Sequence, residues 1–306
     1  MKKLVLVIIL SVITLALVFG SVQEAGVSVL EHQETSDQSL LDRQLDIREA
    51  VIWYLGHCGW AVKTKDFLLI FDTTQSRNIP EKSSLSTGHI VNSQIKNHNV
   101  FVFVSHAHGD HFDEGIFEWE KSVARIKYIF GWQIDAGPNS ISLDLPREEV
   151  SIDGLKVKTI HHAFDGLPEA AFLVEVDGLV IFFSGDHGTT GETLNPLFKD
   201  NIDFFASCVE NVDIAFISQF GNRNGGEVNN GDLYTFEKMK PRVVFPMHQG
   251  GGERFYKIFA REAREKGVKT RIIAAEKMGD FFIYQNGKIR AKESEVDSGT
   301  QGGKSS

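Results

Sequence analysis

The chain has 306 residues, 42% of them apolar and 24% charged, the make-up of a packed globular protein and within reach of one large α/β domain. Its formal net charge is −9 and its body carries no basic stripe, which argues against a nucleic-acid partner, because phosphate binding needs clustered Lys and Arg. Two cysteines, Cys58 and Cys208, are too few for a disulfide framework. A single bridge between them is possible, but two unrelated buried thiols are the simpler reading, and stability must come from a core fed by 23 phenylalanines.

The chain opens with "MKKLVLVIILSVITLALVFG". Two lysines precede an apolar run that stops at small residues, with Val18 and Gly20 in cleavage-site positions, so residues 1–20 read as a signal peptide. An uncleaved anchor is the alternative, since Leu4 to Phe19 approaches the length of a short membrane span. Either reading exports the domain to the periplasm or outside the cell, and membrane contact follows only if the segment is retained. Residues 21–48, polar and acidic, read as a tether with room for one short helix. Residues 49–290 read as one domain, and the Gly/Ser-rich residues 291–306 as a disordered tail.

The domain begins with β signals. "AVIWYLG", "WAVKT" and "FLLIFD" are short apolar runs broken by turns, as in an antiparallel meander. "VFVFVS" follows as a buried strand, then a helical segment over about Asp113 to Ala124. The middle supplies "KYIFG", "LKVKTI", "AAFLVEVDG" and "LVIFFSGD", with Asp177-Gly178 as a hairpin turn. After "VDIAFIS" come a helix around Gly231 to Met239, the strand "RVVFPMH", a charged helix over Glu253 to Lys266, and the strands "TRIIAA" and "DFFIY". Buried strands mingled with helices predict sheets covered by helices, an α/β architecture.

Directly behind "VFVFVS" stand His106, His108, Asp110 and His111, the pattern H-x-H-x-D-H. Imidazole suits zinc and other first-row ions, and a carboxylate adds charge neutralisation. Residues two apart on an extended segment point the same way, so His106 and His108 can converge on one ion. A turn, eased by Gly109, would aim Asp110 and His111 at a second. Other strands also end in potential ligands: Asp72 after "LLIF", His161 and His162 after "KVKTI", Asp186 and His187 after "IFFSG", and His248 after "VVFPM". Chance would not keep setting His or Asp just past apolar β runs.

This order, "FDTT", "HAHGDH", a histidine after a strand, "SGDHG" and "FPMHQG", closely resembles the metallo-β-lactamase superfamily over roughly Val51 to Tyr284. Within it, "YLGHCGW" and "FPMH" look most like the lactonase-like metal-dependent hydrolase branches. The resemblance implies a four-layer αββα sandwich with a dinuclear site at one edge of its two sheets. It implies His106 and His108 as ligands of a first ion, Asp110, His111 and His248 of a second, and Asp186 as the carboxylate between them. The remaining first-site ligand is His162 or His161. His162 is preferred because small Ala163 follows it, and on a strand only one of the pair can face the site. Asp72 matches a position that braces the metal loop by hydrogen bonds.

Three further residues have two readings each. His57 would support a metal ligand or line the pocket, or be a satisfied structural histidine. His187 would contact substrate or face solvent. The run "GNRNGGEVNNGD" is a plain connection or a substrate loop, with Arg223 as an anion contact. Phe164, Asp165 and Trp132 are candidates for shaping the pocket.

The implied cofactors are two divalent ions, Zn2+ first, with Mn2+ or Fe2+ also compatible. The expected activity is exported, metal-dependent hydrolysis of a small ester or lactone, with Asp110 orienting the attacking water. A small-molecule phosphodiesterase, a β-lactamase or a metal-binding member without turnover are the alternatives. The sequence does not fix the oligomeric state.

Overall fold

The structure, a computed structural model, describes residues 38–74, 79–164, 167–189, 193–219 and 225–291. The N-terminal apolar segment, the C-terminal tail, Arg223 and Asp165 lie outside the described residues. The chain divides into two compact units, Met1–Arg43 and Gln44–Ser306. In the first, residues 38–41 form a helical turn, with Gln38 Nε2 donating to Asp42 Oδ2 at 2.9 Å. Among the described residues no helix is long and apolar enough to cross a membrane.

The second unit carries two large sheets. Its strands, in chain order, begin with β1 (Glu49–Gly56), β2 (Gly59–Lys63), β3 (Leu68–Phe71), β4 (Val100–Val104) and β5 (Ile126–Phe130). Next come β6 (Ser140–Ser142), β7 (Glu149–Ile152), β8 (Leu155–Phe164), β9 (Leu167–Val176) and β10 (Leu179–Phe183). The last five are β11 (Ile214–Ser218), β12 (Val243–Met247), β13 (Arg271–Ile272), β14 (Phe281–Gln285) and β15 (Lys288–Ala291). One sheet has the order β15-β14-β1-β2-β3-β4-β5-β6 and the other β13-β12-β11-β10-β9-β8-β7. The expected meander is present as β1, β2 and β3, and it then turns parallel from β3 through β6. The second sheet does the same, antiparallel from β7 to β10 and parallel from β10 to β13.

Strand alternation explains the layers. Ile52, Tyr54, Trp60, Phe71 and Phe103 of the first sheet meet Phe172, Ile181, Phe183, Phe216 and Phe245 of the second in one buried core. Phe71 stacks on Phe103 and on Phe183, each with ring centroids 4.8 Å apart, so the aromatic contact runs from sheet to sheet. On the other face of the second sheet, Phe182, Ala215, Ile217 and Val244 pack on three helices. These are α1 (Pro196–Cys208), α2 (Asn230–Met239) and α3 (Arg254–Glu265), contributing Phe198, Phe205, Phe236 and Phe259. The first sheet is covered by the 3-10 segment Glu114–Lys121, where Tyr128 Oη donates to the Ile116 carbonyl at 2.9 Å. The result is the four-layer αββα arrangement.

Several elements depart from the sequence reading, strands β6, β7 and β15 among them, which went unread. The segment over Glu114–Lys121 is 3-10 rather than α-helical, started by Asp113, whose carboxylate caps the Gly115 N–H at 2.9 Å. Helix α1 went unread, although Asn195 at its N-cap and Pro196 at its first position are standard start signals. The Asp177-Gly178 hairpin matches expectation, with φ of 48° and 77° at its two central residues.

Candidate metal centre

The parallel strands β3, β4, β10 and β12 all point their C-terminal ends to one edge of the sandwich, the usual place for a site in α/β sheets. Asp72, His106, Asp186 and His248 follow those ends within three residues. Three residues of this edge adopt the left-handed region, His57 at φ 48°, Asp72 at 39° and His248 at 71°. Each turns the chain sharply just past its strand. Such conformations cost of order 1–3 kcal/mol and persist where surrounding contacts over-determine them.

Those contacts are visible. Asp72 is buried and accepts the Ser105 N–H at 2.7 Å, the Ser105 hydroxyl at 2.6 Å and Nδ1–H of His111 at 2.7 Å. With its proton given to Asp72, Ser105 Oγ can only accept from His106 Nδ1, 2.9 Å away. Both rings are thereby fixed with Nδ1 protonated and Nε2 turned into the site, although for His111 burial, which lowers its pKa, is outweighed by Cys58 and Asp72, so the metal-free ring holds a proton more tightly than a free imidazole. The Nε2 atoms of His106 and His111 are buried and have no hydrogen-bond partner. Buried polar atoms without partners are rare, and this tautomer is the one a metal-bound imidazole takes when its far nitrogen is hydrogen-bonded. Burial also lowers the His106 pKa to about 4, so the ring is neutral near pH 7.

The remaining groups converge on the same space. Asp186 lies between the two orphan nitrogens, Oδ1 at 3.4 Å from His111 Nε2 and Oδ2 at 3.9 Å from His106 Nε2. Its Oδ2 is also 3.3 Å from His248 Nε2. Asp110 Oδ2 stands 3.8 Å from both His111 Nε2 and His248 Nε2. Asp110, His111, His248 and Asp186 therefore surround one position, and beside it Asp186 also reaches His106, whose ring packs against that of His108. The structure thus brings His106, His108, Asp110, His111, Asp186 and His248 together.

His162 lies beside His106 and His108 only through Glu169. In the β8–β9 pairing His162 faces Glu169 and His161 faces Ala170, so the two histidines sit on opposite faces. His162 Nε2 is 3.1 Å from Glu169 Oε2, while His161 Nε2 is taken by the Gly131 carbonyl at 3.0 Å. Glu169 was not read from the sequence. It is only 1% exposed, and its Oε1 lies 3.9 Å from both His106 Nε2 and His108 Nδ1. The one signal available was a glutamate directly before the apolar run over residues 170–174.

His57 supports the site. The Gly250 N–H donates to its Nδ1 at 3.1 Å, so Nε2 carries the proton and donates to Asp110 Oδ2 at 3.2 Å. This hydrogen bond holds the Asp110 carboxyl well below the usual carboxylate range. Tyr256 of α3 ties the two neighbouring loops, accepting the Gln249 N–H at 3.0 Å and donating to the His57 carbonyl at 3.5 Å. Cys58 is fully buried and close to His57, His111 and His248; both cysteines are free thiols, and Cys208 is half-buried.

Two expectations, for His187 and Gly109, meet a different geometry, and Trp132 is placed as expected. His187 is neither in solvent nor open to a ligand. It is buried, stacked on Phe198 with centroids 4.9 Å apart, and its Nε2 is 3.1 Å from the Asn201 amide nitrogen. Burial drives its pKa down to about 3, so it is a neutral structural ring. Gly109 is not in the left-handed region and an added Cβ there would meet nothing within 4 Å, so the motif turn does not require glycine. Trp132 packs on Phe112 and Phe130, and with Thr74, Ala107, Gly109, Asp113, Glu114 and Ile134 it lines an open cleft beside the motif loop.

No protein-family model matches the chain. Among solved structures it is similar to Igni18, a novel metallo hydrolase from the hyperthermophilic archaeon Ignicoccus hospitalis. The TM-score is 0.54 at 15% identity, covering 78% of this chain and 99% of that one. It is also similar to the metallo-β-lactamase fold protein YhfI from Bacillus subtilis, with TM-score 0.50, 11% identity and coverage of 78% and 99%. A mutant of the β-hydroxylase CmlA matches with TM-score 0.50 and 11% identity, over 78% of this chain and 54% of that one. At such identities the likeness speaks to architecture, and the chain has the metallo-β-lactamase fold.

Proposed function

We propose that the chain is a metal-dependent hydrolase that cleaves a small ester or lactone. The observation that carries the reading is the pair of buried, partnerless Nε2 atoms of His106 and His111 aimed at Asp186, each with its Nδ1 held from behind. The donor set, imidazole with carboxylate, fits two divalent ions: His106, His108 and His162 at one, Asp110, His111 and His248 at the other, with Asp186 between. When bound, such a pair lowers the pKa of a water and polarises a carbonyl or phosphoryl oxygen.

The protein's own part follows from Asp110. Its side chain is 52% exposed, so it meets solvent at the mouth of the site, while the His57 hydrogen bond fixes its orientation. It is placed to orient an entering water and to take or pass on a proton. His57, with its tautomer set by the Gly250 N–H, keeps that carboxylate aimed. Asp72 and Ser105 hold the histidines so that no reorganisation is needed on substrate entry.

The choice of substrate is supported by the cleft beside the motif loop. It offers aromatic and aliphatic surface from Phe112, Trp132 and Ile134, two acids, Asp113 and Glu114, and no cation. That lining suits a neutral acyl group and disfavours a phosphate ester, which would need Arg or Lys to bind. The apolar N-terminal segment supports export, testable by sequencing the N-terminus of the mature protein. The decisive experiment assays metal-loaded protein on lactone, ester, phosphodiester, diphosphate and β-lactam panels. Ester or lactone turnover that vanishes with chelator is expected; full activity after chelation, or turnover confined to phosphodiesters, refutes the reading.

A further inference from the structure

We infer that Glu169 is itself a metal ligand, giving the position framed by His106, His108 and His162 a carboxylate in addition to its three imidazoles. This rests on the metal-centre reading above and goes beyond it by adding a donor and narrowing the kind of ion. Three observations carry it.

First, register: directly opposed residues of an antiparallel pair put their side chains on the same face, and His162 is opposed to Glu169. Any ion held by His162 at this hairpin is therefore within reach of the Glu169 carboxylate. Second, distance: Glu169 Oε2 is 3.1 Å from His162 Nε2, and Oε1 is 3.9 Å from both His106 Nε2 and His108 Nδ1. Donors about 2.0–2.2 Å from a shared ion stand roughly 3–3.5 Å from each other. Separations of 3.9 Å are too long for hydrogen bonds, but small adjustments would bring Glu169, His106 and His108 onto one ion.

Third, the backbone at Glu169 is fixed against the motif loop. The Ala170 N–H donates to the Ser105 carbonyl at 3.1 Å, tying β9 to the residue before His106. A Cβ at Gly131 would come within 2.4 Å of the Ala170 Cβ, and one at Gly185 within 2.7 Å of the Ala170 carbonyl oxygen. Two glycines thus let three chain segments close around Ala170, and Glu169, one residue earlier and 1% exposed, is held facing the histidines.

The extra carboxylate changes what the position prefers. His106, His108, His162, Glu169 and Asp186 together offer five protein donors, more than a tetrahedral zinc accepts. A five- or six-coordinate ion that favours nitrogen and oxygen, such as Mn2+ or Fe2+, fits this set better. Three carboxylates, Asp110, Asp186 and Glu169, would also offset most of the charge of two divalent ions.

The test compares wild type with Glu169→Gln, which removes the charge at nearly constant shape. Full-length protein is stripped of metal, then loaded with Mn2+, Zn2+ or Co2+. Elemental analysis gives the stoichiometry, competition titration the affinities, and visible absorption of the Co2+ form the coordination number. Removing a group that only hydrogen-bonds a ligand costs about 10–100-fold in affinity, so losing a ligand should weaken one of the two ions by more than about 100-fold. The Co2+ bands should strengthen as the coordination number falls, and the affinity for Mn2+ should fall relative to that for Zn2+. Two ions bound with unchanged affinity and an unchanged Co2+ spectrum overturn the inference. If Glu169→Gln does not fold, Glu169→Asp keeps the charge but withdraws the carboxylate by one methylene; an unchanged spectrum and stoichiometry there overturn it equally. Wild type that binds no metal would instead refute the proposed function.

Discussion

Replacing Asp72 with Asn tests whether the imidazoles are pre-set by the network behind them. The carboxylate accepts three hydrogen bonds, from the Ser105 N–H, the Ser105 hydroxyl and His111 Nδ1–H, at 2.6–2.7 Å. Asparagine keeps the shape but has one acceptor oxygen, and its NH2 must face a donor. One or two charge-assisted bonds are then lost, each worth about 1.5–3 kcal/mol. The expected loss is about 1.5–6 kcal/mol, a large part of the ~5–15 kcal/mol that holds a typical domain together. Urea unfolding of the metal-free protein reads this directly. Metal competition on the folded variant reads the second consequence, a roughly 10–100-fold weaker affinity, because His111 and His106 lose the partners that fix their tautomers. An Asp72→Asn protein within about 0.5 kcal/mol of wild type, with unchanged metal affinity, would refute the argument.

Gly131→Ala should destabilise the fold by about 1–3 kcal/mol or more, since the new Cβ would stand 2.2 Å from the Ser105 carbonyl oxygen; urea unfolding with metal analysis checks it, and a neutral result contradicts the packing. His162→Ala should lose one ion per chain while His161→Ala keeps both and loses only stability, because His161 Nε2 is engaged with Gly131; elemental analysis separates them, and the reverse pattern exchanges their roles. Asp232, buried at the start of α2, has its pKa raised from 3.8 to about 7, mainly by burial and against the hydrogen bond from Asn229. A folded state that holds this proton more tightly than the unfolded chain is favoured below about pH 4, loses that advantage as pH rises towards 7, and is flat above. Asp232→Asn should remove this slope from a plot of unfolding free energy against pH, and an unchanged slope would discount the group.

Much of the site was legible because it is local or repeats a local rule. H-x-H-x-D-H occupies six consecutive positions, and Asp72, Asp186 and His248 each stand just beyond an apolar run, so pattern and strand-end position sufficed. The Asp177-Gly178 turn and the helices near Gly231 and Glu253 were likewise written in short-range signals. Helix α1 carried such signals too, in Asn195 and Pro196, but its apolar face reads ambiguously next to so many buried strands. For His187, adjacency to Asp186 says nothing about which way the ring turns; Phe198 and Asn201 of helix α1 bury it.

By itself the sequence determined the fold class and the chemistry of the centre, since apolar periodicity sets strand burial and imidazole beside carboxylate has few other uses at such spacing. Only the tertiary structure decided which groups come together. His57 reaches Asp110 across 53 positions and Asp72 reaches His111 across 39. Glu169 enters the site because one hairpin register opposes it to His162 and one close approach of β9 to the motif loop brings it beside His106. A shift of that register by a single residue would turn Glu169 to the opposite face. Register and close approach are properties of packed backbones, set by contacts between distant segments.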